Sequence, residues 1–275
     1  MRELTSEDGT VVDEDEQQLA GGIANAGRVT RSGDYVLRPR GTHASSIRPF
    51  LTSLRKAGFD GAPLPAGIAR DGRERFVYLD GDVPLPPYPQ WAQADEALAS
   101  VGALMRRFHR ASASFSPSGS DWSSELADSV GGEMICHNDV CLENVVFRRG
   151  VAAALLDFDF AAPGRPLYDV ARCALLCVPV DDDTSAARLG WQPADKPARL
   201  RLLADSYGLE AGDRLQLAEI LAGVIARGGE FVRRRVEAGD PNFIGMWNAM
   251  GGAERFDRRR RWWAGPGQEL AAALR

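Results

Sequence analysis

The stretch that decides the fold reads Cys136-His137-Asn138-Asp139-Val140-Cys141-Leu142-Glu143-Asn144-Val145-Val146-Phe147 and continues through Arg149-Gly150 to Leu155-Leu156-Asp157-Phe158-Asp159-Phe160. A His-x-Asp is followed by an Asn five residues on and by an Asp thirteen residues beyond that Asn. The apolar runs 145–147 and 151–156 flank an Arg-Gly turn, a pattern that predicts a short hairpin. Such a hairpin carries Asn144 and Asp157 to neighbouring ends of two strands. A neutral amide oxygen beside carboxylate oxygens suits a hard divalent cation such as Mg2+. Asn144 and Asp157 are therefore candidate metal ligands. Asp159, two residues further, is expected on the same side if the chain is extended there, serving a second metal or a metal-bound water. Asp139 is the candidate group for orienting or deprotonating an attacking hydroxyl. His137 is expected to fix the loop through hydrogen bonds.

This spacing resembles the catalytic loop and metal site of protein kinases. Together with Gly164-x-Pro-x-x-Asp169-Val-Ala171, it resembles the aminoglycoside phosphotransferase family, which shares the protein-kinase fold with choline kinases. The likeness spans about 19–178 and is sharpest over 135–171. Arg106-Arg107-Phe108-His109 resembles the family's helix before the catalytic loop, and Gly21-Gly22-Ile-Ala-Asn25 its nucleotide loop. The resemblance implies that Asp169 holds the catalytic loop from the next helix. It also implies transfer of the γ-phosphate of ATP or GTP to a hydroxyl of an aminoglycoside or another antibiotic-like molecule. Backbone N–H groups at Gly21, Gly22 and Asn25 would cover the phosphates. Val77 and Leu79, at the end of the small lobe's last strand, would line the nucleotide site.

Working outward, short strands are predicted over 18–23, 28–31 and 35–38, a helix over 46–57 with Ser46 as its cap, and strands over 64–69 and 75–79 around the Asp71-Gly72 turn. Pro84, Pro86, Pro87 and Pro89 make a stiff joint. Beyond it helices are predicted over 92–111, 168–178, 194–207, 211–237 and 268–274. The expected class is α+β and bilobal. An acidic arm would cover 1–18, a nucleotide-binding small lobe 19–83, and a helical catalytic and acceptor-binding lobe 84–275.

One departure stands out. A kinase places a lysine on its third strand and a glutamate on the following helix. Here the third strand reads Tyr35-Val36-Leu37-Arg38, the helix over 46–57 has no acidic residue, and Lys56 and Lys196 are the chain's two lysines. Arg38 is the candidate phosphate anchor, since arginine grips phosphate with two prongs and stays charged. The missing pair favours a pseudokinase or regulatory nucleotide-binding module. Intact Asp139, Asn144 and Asp157 favour the enzyme, and they weigh more, because phosphoryl transfer depends most on positioning and charge neutralisation.

The net charge of −5 across 275 residues argues against a nucleic-acid partner. No apolar run suggests a membrane span and the first residues do not read as a secretory signal, so a cytoplasmic protein is expected. Cys136, Cys141, Cys173 and Cys177 read as reduced thiols. Asp181-Asp182-Asp183 reads as a solvated loop, and Arg258 to Arg261 with Trp262-Trp263 as a helix surface anchored by its aromatics.

Overall fold

Gly33, at φ +56°, turns Thr30–Ser32 (β2) back onto Tyr35–Arg38 (β3). That conformation suits glycine because it has no side chain to crowd the backbone. The computed structural model describes residues 16–20, 27–117 and 121–274. In it, Gln17–Gln18 (β1), β2, β3, Pro65–Ile68 (β4) and Glu74–Val77 (β5) form one antiparallel sheet in the order β1-β2-β3-β5-β4. Gln17, expected in the acidic arm, belongs to this sheet, as does Gln18, where the first strand is expected to begin. Glu16 beside them accepts hydrogen bonds from Arg73 at 2.6 Å and Thr30 at 2.7 Å. Residues 1–15 lie outside the described residues.

The helix after β3 is Ala44–Lys56 (α1). It starts earlier than predicted because the carbonyl of His43 accepts from Ser46 and Ile47, so Ser46 lies inside the helix and Pro49 in its second turn. Its Ile47, Phe50, Leu51 and Leu54 stripe is buried, as the helical spacing requires.

The joint to the larger lobe is pinned by backbone. Asp82 and Phe147 exchange hydrogen bonds at 2.8 Å in both directions, which adds the linker to the hairpin of Val145–Arg148 (β7) and Val151–Leu155 (β8). Gly81 makes this possible: a Cβ there would sit 2.5 Å from the carbonyl oxygen of Phe147. The large lobe is otherwise helical. Asp95–Ser112 (α2) precedes Met134–Cys136 (β6), and β6 pairs with Ala162–Gly164 (β9). Then come Pro166–Cys177 (α3), Asp183–Arg188 (α4), Lys196–Tyr207 (α5), Ala211–Glu237 (α6), Pro241–Met250 (α7), Gly252–Ala264 (α8) and Pro266–Ala272 (α9). The expected bilobal α+β architecture is what the chain adopts. Helix α7 escaped the hydrophobic pattern, yet Asp240 caps it through two N–H groups and Pro241 opens it, both standard start signals.

An aromatic cluster joins the lobes. Phe158 packs edge-on against Phe50 of α1 and Phe108 of α2, with centroids 6.3 and 5.8 Å away. Its ring lies 4.5 Å from that of His137. Phe158 sits between Asp157 and Asp159, so this packing fixes where both carboxylates emerge. Among the described residues no helix is long and apolar enough to cross a membrane.

Candidate active site

The predicted hairpin forms, with Val145 opposite Leu155. Asn144 immediately precedes β7, and its carbonyl accepts from the Leu156 N–H at 2.8 Å, so Asn144 and Asp157 stand at adjoining strand ends. The chain after Asp157 is not extended. Asp157 is left-handed, at φ +57°, and residues 158–160 make a tight helical turn. This turn, rather than strand alternation, brings Asp159 round beside Asp157.

The catalytic loop is held from below by Asp169 of α3, which is fully buried. Its carboxylate accepts from the N–H groups of His137 (2.8 Å) and Asn138 (2.7 Å) and pairs with His109 Nε2 at 2.9 Å. Burial would raise its pKa, but the His109 hydrogen bond and the surrounding donors hold it below the ordinary carboxylate range. His109 in turn meets the Tyr207 hydroxyl at 2.8 Å. His109, Cys136 and Asp169 bring their donor atoms within 4.8 Å of one another, but the carboxylate is spent on these partners. The four cysteines are free, as expected of reduced thiols.

His137 is a strut. Its Nδ1 accepts from the Asp139 N–H at 3.3 Å, so Nε2 carries the proton donated to the Leu156 carbonyl at 2.8 Å. Full burial lowers its pKa and keeps the ring neutral. One imidazole thus ties Asp139 to the residue preceding Asp157.

The Asp139 side chain is 24% exposed and stands 3.6 Å from Arg172 Nη2. Asn144 Nδ2 donates to its carbonyl (2.9 Å) and to its Oδ2 (3.2 Å). Burial pushes the Asp139 pKa up to about 7, Arg172 pulls it back, and the charges of Asp157 and Glu143 push it further. A carboxylate poised there can take a proton at neutral pH. The Asn144 amide nitrogen being committed to Asp139, its Oδ1 is the atom left to meet a cation.

Arg38 reaches across the cleft from β3. Its Nη1 lies 3.4 Å from Asp157, and its Nη2 makes a short ion pair with Asp159. Burial works against its charge, but the carboxylates of Asp159, Asp157 and, more weakly, Glu74 outweigh it and make the guanidinium hold its proton harder than usual. Asp157 is raised above the carboxylate range by burial and by its neighbour Asp159, with Arg38 offsetting. Two crowded carboxylates and an amide oxygen form an oxygen-only, charge-hungry donor set, which fits a hard divalent cation.

A cavity of 330 Å³ lies between the lobes, lined by Arg38, Val77, Leu79, Asn144, Asp157 and Asp159 among others. Leu19, Ala20 and Val29 contribute to its wall. Gly21, Gly22 and Asn25 lie outside the described residues. Sequence reasoning missed Glu74, which lines the cavity and is 3% exposed, and Arg172 beside Asp139.

Two residues of the acidic triplet, Asp181 and Asp182, are not solvated as expected, while Asp183 is. Asp181 is buried and paired with Arg255 at 3.2 Å and with Arg259. Asp182 caps α4 through Ser185 and meets Arg258 at 3.5 Å. Asp183 pairs with Lys196. The charges of Asp181 and Asp182 are spent on holding α8 to the body of the lobe, while Asp183 answers Lys196 of α5 from solvent. The aromatic end of α8 behaves as expected, with Trp262 and Trp263 packed against the main core.

The sequence profile of the phosphotransferase enzyme family matches residues 120–203, the segment that holds the catalytic loop, Asp157 and Asp169. The trifolitoxin immunity protein of Rhizobium leguminosarum bv. trifolii is 35% identical over 206 residues, or 73% of this chain and 77% of that protein. Among solved structures, a choline/ethanolamine kinase family protein from Mesorhizobium loti superposes with a TM-score of 0.62 at 17% identity, covering 94% of this chain and 92% of the other. An amicoumacin kinase, solved with AMP-PNP and Ca2+, also gives 0.62, at 11% identity over 90% of this chain and 89% of its own. These superpositions extend the likeness of fold over both lobes, and by the profile match and the relative's identity the chain belongs to the phosphotransferase enzyme family.

Proposed function

We propose that this protein moves the γ-phosphate of ATP or GTP, bound with Mg2+, onto a hydroxyl of a small antibiotic-like molecule. The observation that carries the reading is the meeting of Asp139, Asn144, Asp157 and Arg38 at one inter-lobe cleft. Asn144 Oδ1, Asp157 and Asp159 are the residues to hold the cation, which when bound neutralises phosphate charge. Arg38 grips the donor phosphates, Val77 and Leu79 line the nucleotide's cavity, and Gly21, Gly22 and Asn25 cover its phosphates. Asp139 orients the acceptor hydroxyl and takes its proton, while Arg172 and Asn144 keep the carboxylate aimed. Two names support an antibiotic-like acceptor: a relative that is a trifolitoxin immunity protein, and a structural neighbour that is an amicoumacin kinase.

The test is phosphate transfer from γ-labelled ATP and GTP to a panel of hydroxylated antibiotics. Wild type should label at least one acceptor, and Asp139→Asn should fold, bind nucleotide and lose about 10²–10⁴ in turnover. Nucleotide binding without transfer to any acceptor would favour the pseudokinase, whereas near-normal turnover in the variant would remove Asp139 from the mechanism.

A further inference from the structure

We propose that Glu74, on β5, positions Arg38 for the donor phosphates, and that α1 contributes only through Arg48, so that the charges of the strand–helix pair are reversed. This rests on reading Arg38 as the phosphate anchor. Arg38 and Glu74 are directly opposed in the β3–β5 register. Opposed residues project from the same face of a sheet with Cβ atoms about 5 Å apart. Both line the inter-lobe cavity, and Glu74 is the one carboxylate the small lobe adds to that lining among the described residues.

Burying a carboxylate is expensive unless it is well paired. Glu74 is 3% exposed, yet the partners it has are distant: the Gly41 N–H at 3.3 Å and Arg48 Nη1 at 3.5 Å. Arg48 also donates to the Gly67 carbonyl at 3.1 Å, so it is shared. Arg38, for its part, spends both Nη groups on Asp157 and Asp159, while its Nε is buried without a hydrogen-bond partner among the described residues. No ion pair joins the two side chains, but the Glu74 charge acts on the Arg38 guanidinium. An under-used carboxylate and an unspent N–H therefore belong to directly opposed residues of two paired strands. The helix, which has no acidic residue, supplies a cation that holds this carboxylate in place.

The alternative is that Glu74 merely braces α1 through Arg48. A double-mutant cycle on nucleotide affinity separates the two, because a group acting through Arg38 has no effect once Arg38 is gone. The probe is ADP or GDP with Mg2+, whichever binds wild type more tightly, measured by calorimetry without any acceptor. Arg38→Ala should weaken binding, and Glu74→Gln should weaken it about tenfold, the size of coupling within one charge network. Adding Glu74→Gln to Arg38→Ala should change affinity less than about twofold. Glu74→Asp, which keeps the charge, should restore part of the loss and stands in if the Gln variant folds poorly. Equal losses from Glu74→Gln in both backgrounds, or none in either while Arg38→Ala still weakens binding, overturn the inference alone. Normal binding by Arg38→Ala overturns the anchor reading and this one with it.

Discussion

Replacing Asp139 by Asn should stabilise the protein while slowing its chemistry about 10²–10⁴-fold. In the folded protein burial lifts the Asp139 pKa from 3.8 to about 7. Between those values the unfolded chain is ionised there and the native loop keeps its proton, so unfolding releases a proton. Stability therefore falls as pH rises through this window and levels off above about pH 7. The gap corresponds to ~4 kcal/mol, taking ~1.36 kcal/mol for each tenfold change in the equilibrium. Asparagine has the same shape and no charge, so it removes this slope. At pH 4 the two proteins should melt together. At pH 8 the variant should be the more stable, by up to ~4 kcal/mol, and for a chain of this size even half of that is a rise of about 4–8 °C. The assay is thermal unfolding of metal-free wild type and variant at pH steps from 4 to 8, followed by circular dichroism. A variant that melts at or below wild type at pH 8, or whose advantage does not grow with pH, refutes the claim that burial loads this carboxylate. A site that trades stability for a reactive group behaves this way elsewhere.

Other outcomes follow from the same geometry. Asp157→Asn should bind nucleotide with little difference between magnesium and EDTA, whereas wild type should bind far more tightly with the metal; equal wild-type affinities in calorimetry would remove Asp157 from the cation site. Asp181→Ala leaves Arg255 and Arg259, each 13% exposed, facing no carboxylate at that point, and should cost about 3–5 kcal/mol in urea unfolding. A stability unchanged within error would return Asp181 to the solvated loop that its composition suggests. Asp169→Asn removes the charge that gathers the His137 and Asn138 N–H groups and His109, and should lower turnover and cost roughly 1–3 kcal/mol of stability. A normal melting point and normal turnover in that variant would show that the loop holds its shape without the anchor.

Much of the site was legible because its parts are close in sequence. Asp139, Asn144 and Asp157 lie within one loop and one hairpin, so residue spacing and a single Arg-Gly turn bring them together. The longest helix, 211–237, follows from hydrophobic periodicity alone, with its ends where the sequence places them. The short α4 and the capped α7 were invisible to that periodicity, since their start signals lie in Asp182, Asp240 and Pro241 rather than in an apolar stripe. Asp159 was expected beside Asp157 on an extended chain. It arrives there through a left-handed residue and a tight turn, driven by the packing of Phe158 among Phe50, Phe108 and His137.

The sequence by itself determined the chemistry on offer: the carboxylates and amide of the catalytic stretch, and the absence of both the strand lysine and the helix glutamate. Only the tertiary structure decided which charge answers which. Arg38 finds Asp157 and Asp159, 119 and 121 residues away, Glu74 stands opposite it across the sheet, and Asp181 disappears beneath arginines 74 and 78 residues further on. Periodicity and turn chemistry report on neighbours along the chain. Burial and Coulomb interaction act through space, and their strength depends on how much water the assembled lobes exclude.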